Sequence, residues 1–496
     1  MLKIRVVKTG SSAQAVQAIR YYNNKRIIIK HFGSAHTDAQ LHGLLEIAHV
    51  WIKDYSGLLS IFPTENPNAV LYIQNCDFLG VYYSFFYELI SLLQQQIGFD
   101  QLGGRLFNDL VIIRILEPSS KLRSIELLES YFGIKHRRQN FYKLAPGWLK
   151  LKEAVELKVI DFARRHFGFN YDLLFYDVTT LYFETFEEDE LRRQGFSKDN
   201  KSQQPQILVA LMVTKEGFPV SYEIFAGNTF EGHTIIPVVK TFIEKHKVQY
   251  FTVIADAAMI SASNVEALQK NNINYIVGAR LGNLSNDLIE QIDKVICRED
   301  GKSIRIKTTN GYLICSYSSV RFRKDKYEME KQIVKAKLII EKPSKSKKIK
   351  FTKSKDKKIE LNQNLIDKTK KLLGIKGYYT DLNEELAPNN IVIERYHELY
   401  KIEQAFRISK NDLQTRPIFH FKEEPIKLHI LICFMALVLS KEIELKTGAS
   451  IKRFITDCKK VTDARMLNKI TGKEVSIRTP LEKTITEYLT QLNVPH

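Results

Sequence analysis

Between Tyr171 and Arg280 the apolar residues come in short continuous runs, as in strands buried on both faces. YDLLFYDVTTLYF (171–183), YFTVIADAAMI (250–260) and NYIVGAR (274–280) have this character. QILVALMVTKEGFPVSYEIFAG (206–227) reads as two strands joined by a turn at Lys215-Glu216-Gly217. Helical spacing marks TIIPVVKTFIEKH (234–246) and SASNVEALQKN (261–271) between them. The order strand, hairpin, helix, strand, helix, strand predicts an α/β fold with a mixed sheet flanked by helices.

The flanking regions follow other rhythms. KRIIIKHFGSAH (25–36) is extended, and DAQLHGLLEIAHVWI (38–52) has helical spacing behind an Asp38 cap. From Asn75 to Phe169 the pattern is mainly helical: LFNDLVIIRILE (106–117) stops at Pro118, and SSKLRSIELLESYFG (119–133) runs from serine caps to Gly133. RRQNFYKLAPGWLKLK (137–152) interleaves basic and aromatic residues, either as a DNA-contacting surface or as an exposed basic helical face. Downstream, IRIKTTNGYLICSYS (304–318) reads as a hairpin turning at Asn310-Gly311, and DKYEMEKQIVKAKLII (325–340) as a charged helix. The lysine-dense EKPSKSKKIKFTKSKDKK (341–358) is a solvated loop or a phosphate-tracking surface. GYYTDL (377–382) resumes the sheet pattern, NNIVIERYHELYKIEQAFRISK (389–410) predicts one long amphipathic helix, and a buried helix follows at 426–440.

These patterns divide the chain into a small α+β unit (1–74), a helical, DNA-binding region (75–169), a sheet domain in two parts (170–280 and 377–445), a β-rich basic insertion between them (281–376) and a helical tail (446–496). The length of 496 residues fits two or three domains. A net charge of +18 draws polyanions, of which nucleic acid is the commonest. The five cysteines are scattered without a CxxC pair, which fits a reducing compartment and argues against a structural zinc site. The apolar stretches 78–93 and 428–439 are shorter than the ~20 residues that a bilayer requires, and both read as buried helices. The N-terminus lacks the apolar core of a signal peptide, so a cytoplasmic protein, with no membrane association, is expected.

Asp177 follows LLFY and Asp256 follows FTVIA, so each acid lies at or near the end of a run that belongs inside a sheet. A lone buried carboxylate is costly without a cation or hydrogen bonds. Two of them on matching strands come side by side if the strands are neighbours. On the helix expected over 389–410, Tyr396, Glu403 and Lys410 are seven residues apart, which returns them to within ~20° of one face. Three acids suit phosphodiester chemistry, in which two Mg²⁺ ions serve the attacking and leaving oxygens.

Around these residues the chain resembles DDE-type bacterial insertion-sequence transposases, whose catalytic core is RNase H-like. YHELYKIEQAFRISK (396–410) matches the tyrosine, glutamate and lysine of that group's Y-x2-R-x3-E-x6-K signature, with Leu399 in the arginine position. YDVTTLYFE (176–184), GFSKD (195–199), GNTFEGHT (227–234) and IADAAMIS (254–261) are similar to other blocks of the group. HFGSAH (31–36) and the stretch 418–437 add to the likeness. The resemblance implies that Asp177, Asp256 and Glu403 bind Mg²⁺, replaceable by Mn²⁺, as two ions. It implies DNA contacts from Tyr396 and Lys410, with Arg407, Arg416 and His420 as further candidates near the motif. It also implies a homodimer on double-stranded DNA, binding to terminal inverted repeats, and cut-and-paste transposition through a hairpin, without a small-molecule cofactor. Two other readings share these residues: an RNase H-like nuclease without strand joining, and a non-catalytic DNA-binding derivative. A two-acid glycosidase explains neither the charge nor the lysine-rich run.

Overall fold

The computed structural model describes the chain except residues 1, 11, 23–24, 57–75, 198–200, 202, 249, 258–260, 310, 342–349, 356–357, 470–471, 473 and 496. The end of the second-acid block, the Asn310 turn residue and much of the lysine-dense run therefore lie outside the described residues.

In chain order the elements begin with β1 (Leu2–Lys8), β2 (Gln14–Tyr22), β3 (Lys25–Ala35), α1 (Asp38–Ser56) and β4 (Cys76–Tyr82). Helices α2 (Ser84–Ile97), α3 (Arg105–Leu116), α4 (Lys121–Phe132), α5 (Arg138–Trp148) and α6 (Lys152–Phe167) follow. Next come β5 (Leu173–Tyr182), β6 (Gln206–Val213), β7 (Pro219–Ala226), α7 (Ile235–His246), β8 (Thr252–Ala255), α8 (Ala262–Lys270) and β9 (Asn274–Ala279). The segment after them holds α9 (Asn286–Ile296), β10 (Ser303–Thr308), β11 (Gly311–Tyr317), α10 (Ser319–Glu341), β12 (Thr352–Lys355), β13 (Lys358–Leu361) and α11 (Gln363–Lys371). The chain ends through β14 (Ile375–Thr380), α12 (Asn389–His397), α13 (Tyr400–Arg407), α14 (Glu423–Thr447), α15 (Ile451–Cys458), β15 (Asp463–Asn468), β16 (Glu474–Arg478) and α16 (Lys483–Gln491).

Two compact units result. One comprises Met1–Leu89, Glu126–Lys135 and Phe454–His496. It holds the antiparallel sheet β1-β2-β3 and a second antiparallel sheet, β16-β15-β4. The stretch 78–93, expected to be all helix, therefore begins as a strand, because β4 pairs with β15 along its length. The tail expected to be helical likewise contains the β15–β16 hairpin between its helices.

The other unit, Ile90–Ile125 and His136–Arg453, is built on an eight-stranded sheet in the order β10-β11-β14-β9-β8-β5-β6-β7. β5, β8 and β9 run parallel to one another, and the remaining neighbours are antiparallel. The first strand is central, with its hairpin partners on one side and two parallel strands on the other, which is the RNase H-like order. Every residue of β6 and β8 is buried, as expected of strands covered on both faces. Helix α14 is buried from Ile430 through Ile443 and packs against α3, α5, α6 and β7. It is a core helix, since one that is apolar all round must find protein on every side. Among the described residues no helix is long and apolar enough to cross a membrane.

One expected element is broken. The run 389–410 forms α12 and α13, separated by Glu398 and Leu399, and then a π-turn at Ile408–Asp412. Backbone bonds from Leu399 to Tyr396 and from Ile402 to Leu399 tighten the elbow to three-residue spacing. The Thr415 hydroxyl and amide both reach the Ser409 carbonyl and hold the wider turn. Tyr396, Glu403 and Lys410 thus belong to three successive segments and not to one straight face.

Candidate active site

Burial along β5 is continuous except at Asp177 and at its last residue, Tyr182. The parallel pairing of β5 with β8 ends at Tyr176 opposite Ala255. Asp177 is the next residue of β5 after that last pair, and Asp256 is the first residue beyond the end of β8. The Asp177 Oδ1 accepts the backbone N–H of Val178 at 2.7 Å, whereas Asp256 is exposed.

The helical side reaches the same place through Tyr396. Its ring is buried, and its Oη donates to Asp256 Oδ1 at 3.0 Å. Gly278 on β9 makes that approach possible, since a Cβ there would collide with the tyrosine oxygen. Burial, and then the charge of Asp256, hold the Tyr396 hydroxyl well above the ordinary tyrosine range. The hydroxyl is therefore a lasting donor. Glu403 is exposed in the first turn of α13, a helix that packs on β5 and β6 through its buried Ile402, Ala405 and Phe406 face. Leu399 is buried at the elbow and can carry no charge to the surface.

A cationic group accompanies the acids. Lys376 on β14 places its ammonium 4.6 Å from the centre of the Tyr396 ring and 5.8 Å from that of Tyr378. Burial and the nearby Arg321 lower the Lys376 pKa, while Asp256 and Glu403 pull it upward. Lys376 is thus within electrostatic reach of Arg321, Asp256 and Glu403. His397 bonds the Tyr378 hydroxyl through Nε2 at 3.1 Å, and burial together with Lys376 and Arg321 keeps its pKa below the usual value. The sequence carries a signal for Lys376: it is the one charge inside the strand IKGYYT, as Asp177 is inside its own.

The remaining candidates are more dispersed. Lys410 is half-buried within the π-turn. Arg407 is exposed and lies within the charge field of Asp412 and Lys441. Arg416 lies over the Tyr182 ring at 5.9 Å, five residues and roughly 16 Å of strand beyond Asp177. His420 lines a cavity of about 380 Å³ with Lys121, Phe141 and Phe419. Burial, with Lys121 and Arg114 nearby, pushes its pKa down to about 4, so it is neutral at neutral pH. The turn at 227–234 serves the fold, because Thr234 Oγ1 accepts the Tyr176 hydroxyl at 2.7 Å and so fastens the turn to β5.

Among the described residues, no three histidine, cysteine or carboxylate groups converge as a closed metal cage. The three acids expected from the sequence, Asp177, Asp256 and Glu403, are all carboxylates, and Glu403 is exposed on α13, a helix that packs on β5. In donor chemistry an all-oxygen set is of the kind that a hard cation such as Mg²⁺ takes.

A family model described as "Transposase DDE domain" matches residues 168–439. Among solved structures, the chain is similar to piggyBac transposase in a synaptic complex with hairpin DNA, at 11% identity and a TM-score of 0.38, over 76% of this chain and 69% of that one. It is also similar to Mos1 transposase in a paired-end complex with the left transposon end, at 11% identity and a TM-score of 0.16, over 47% of this chain and 66% of that one. No curated protein matches the chain.

Proposed function

Because the chain belongs to the DDE transposase family, we propose that it binds the terminal inverted repeats of its own mobile element and cuts and joins DNA there. The observation that supports this most is that Asp177 and Asp256 each follow the last paired residues of two adjacent parallel strands, with the Tyr396 hydroxyl on the second acid.

Asp177, Asp256 and Glu403 are the residues that would hold Mg²⁺, as two ions. When bound, the metal lowers the pKa of the attacking oxygen's proton and stabilises the leaving oxygen. Tyr396 orients the Asp256 carboxylate by occupying one of its oxygens and leaving the other toward the substrate. Lys410 and Arg416 grip the DNA backbone, Arg407 serves the flanking DNA, and His420, being neutral, contributes a hydrogen bond. Hydrolysis at the element end frees a 3′-OH. That oxygen attacks the opposite strand to close a hairpin, and after the hairpin is reopened it attacks the target, so each bond broken is matched by one formed. Two copies of the chain bridge the two ends.

The test is incubation of the purified protein with Mg²⁺ and labelled duplexes taken from the DNA flanking its coding sequence. Nicked, hairpin and joined products are expected. Nicking with no joined product assigns a nuclease, and binding without cleavage assigns a DNA-binding derivative.

A further inference from the structure

Lys376 is the least explained charge in the sheet unit. It sits on an interior strand, β14, between β11 and β9, where a half-buried ammonium is costly. Among the described residues no carboxylate closes an ion pair with it, and its ammonium makes no side-chain hydrogen bond. The rings of Tyr396 and Tyr378 confine it on their faces and leave its N–H donors unspent. A second cation, Arg321 in the first turn of α10, lies close enough to repel it. Arg321 is itself exposed and engaged by Asp325 at 3.2 Å. Two like charges held together beside unspent donors make a place for an anion.

The neighbours define which anion. The charges of Asp256 and Glu403 reach Lys376, and they would drive off a phosphate arriving without compensation. Leu399 is buried, so the helical side offers no cation at the elbow. We propose that Lys376, seconded by Arg321, binds a non-bridging phosphate oxygen of the DNA backbone beside the Asp177–Asp256 pair, so that β14 supplies the phosphate clamp of the site. The inference rests on the function proposed above. Lys376 acts here by contact with the substrate, and the Tyr396 ring positions it.

The test compares wild type, Lys376→Gln and Lys376→Arg for binding to the labelled flanking duplex across a salt series, with Ca²⁺ replacing Mg²⁺ to suppress cleavage. Loss of one phosphate contact makes the slope of log affinity against log salt shallower by about one unit and weakens low-salt binding by about tenfold. Lys376→Arg retains the wild-type slope. An unchanged slope for Lys376→Gln, in a protein whose thermal melt matches wild type, overturns the proposal. So does tighter Mn²⁺ binding by Lys376→Gln without a change in slope, because the lysine is then only a counter-ion for the acids. Wild-type cleavage in Mg²⁺ separates the two readings. If wild type cleaves and joins while the slope is unchanged, only the clamp fails. If wild type binds without cleaving, the transposase reading fails and the slope still decides the clamp. Absence of DNA binding by wild type overturns both.

Discussion

On the sheet side, Asp177 lies within β5 and Asp256 directly follows β8, each one residue past the last pair between these strands. Their register is set by a ladder of hydrogen bonds between strands whose other residues are almost all buried. On the helical side, Tyr396 and Glu403 come from two short helices joined by an elbow; both helices pack on the sheet, and one phenol–carboxylate hydrogen bond reaches the second acid. Register is indifferent to what a side chain carries, provided its size is kept. A bridge made of side chains is not. The sheet acids therefore separate chemistry from folding cleanly, whereas changes on the helical side alter position and chemistry together.

The largest effect expected follows from that difference. Asp177→Asn and Asp256→Asn preserve shape and remove a charge, and each is expected to slow DNA cleavage by at least about a thousandfold, about 4 kcal/mol of transition-state stabilisation. Thermal melting within ~1 kcal/mol of wild type would show that the register survives. Glu403→Gln is expected to cost about a hundredfold in the same assay. Cleavage within threefold of wild type would remove Glu403 from the site and leave the sheet side to work alone. Gly278→Ala comes next, because it wedges the two sides apart. A Cβ at Gly278 collides with the Tyr396 oxygen and stands 3.0 Å from Ala257 Cβ and 3.1 Å from its nitrogen. Overpacking of this kind costs ~1–3 kcal/mol of stability, read by denaturant unfolding.

The same contrast decides what is legible in the sequence. A single acid in an otherwise apolar strand is conspicuous, and neighbouring parallel strands are a common outcome of the strand–helix–strand order, so Asp177 and Asp256 can be paired from the residue pattern alone. The elbow and the π-turn are invisible there, because 389–410 contains neither proline nor glycine; the elbow goes with burial of Leu399 and the π-turn with the Ser409–Thr415 bonds. Strands β15 and β16 are hidden for a related reason. Their sequences, DARMLN and EVSIR, are half polar, and β15 is completed by β4, nearly four hundred residues earlier in the chain. Lys376 is easily overlooked because the apolar run GYYT begins just after it, so that a lysine inside the strand resembles one at its edge.

The smallest effect is the most discriminating. Tyr396→Phe keeps the buried ring against Tyr378 and removes only the oxygen that reaches Asp256. Groups that orient a metal-binding side chain typically matter by about ten to a hundredfold, and loss of this bond is placed at about tenfold in cleavage. Phenylalanine also empties the space that the Cβ of Gly278→Ala would enter, so the two substitutions are not independent. In the double variant the stability lost through Gly278→Ala should be partly recovered, giving a coupling of about 1 kcal/mol in a double-mutant cycle. Cleavage should stay at the Tyr396→Phe level, since the bridge is already gone. Strict additivity, within ~0.5 kcal/mol, would mean that tyrosine and glycine do not meet. Recovery of stability without recovery of rate would instead divide the contact in two: the ring and the glycine fix where the helix lies, and the hydroxyl alone sets the carboxylate.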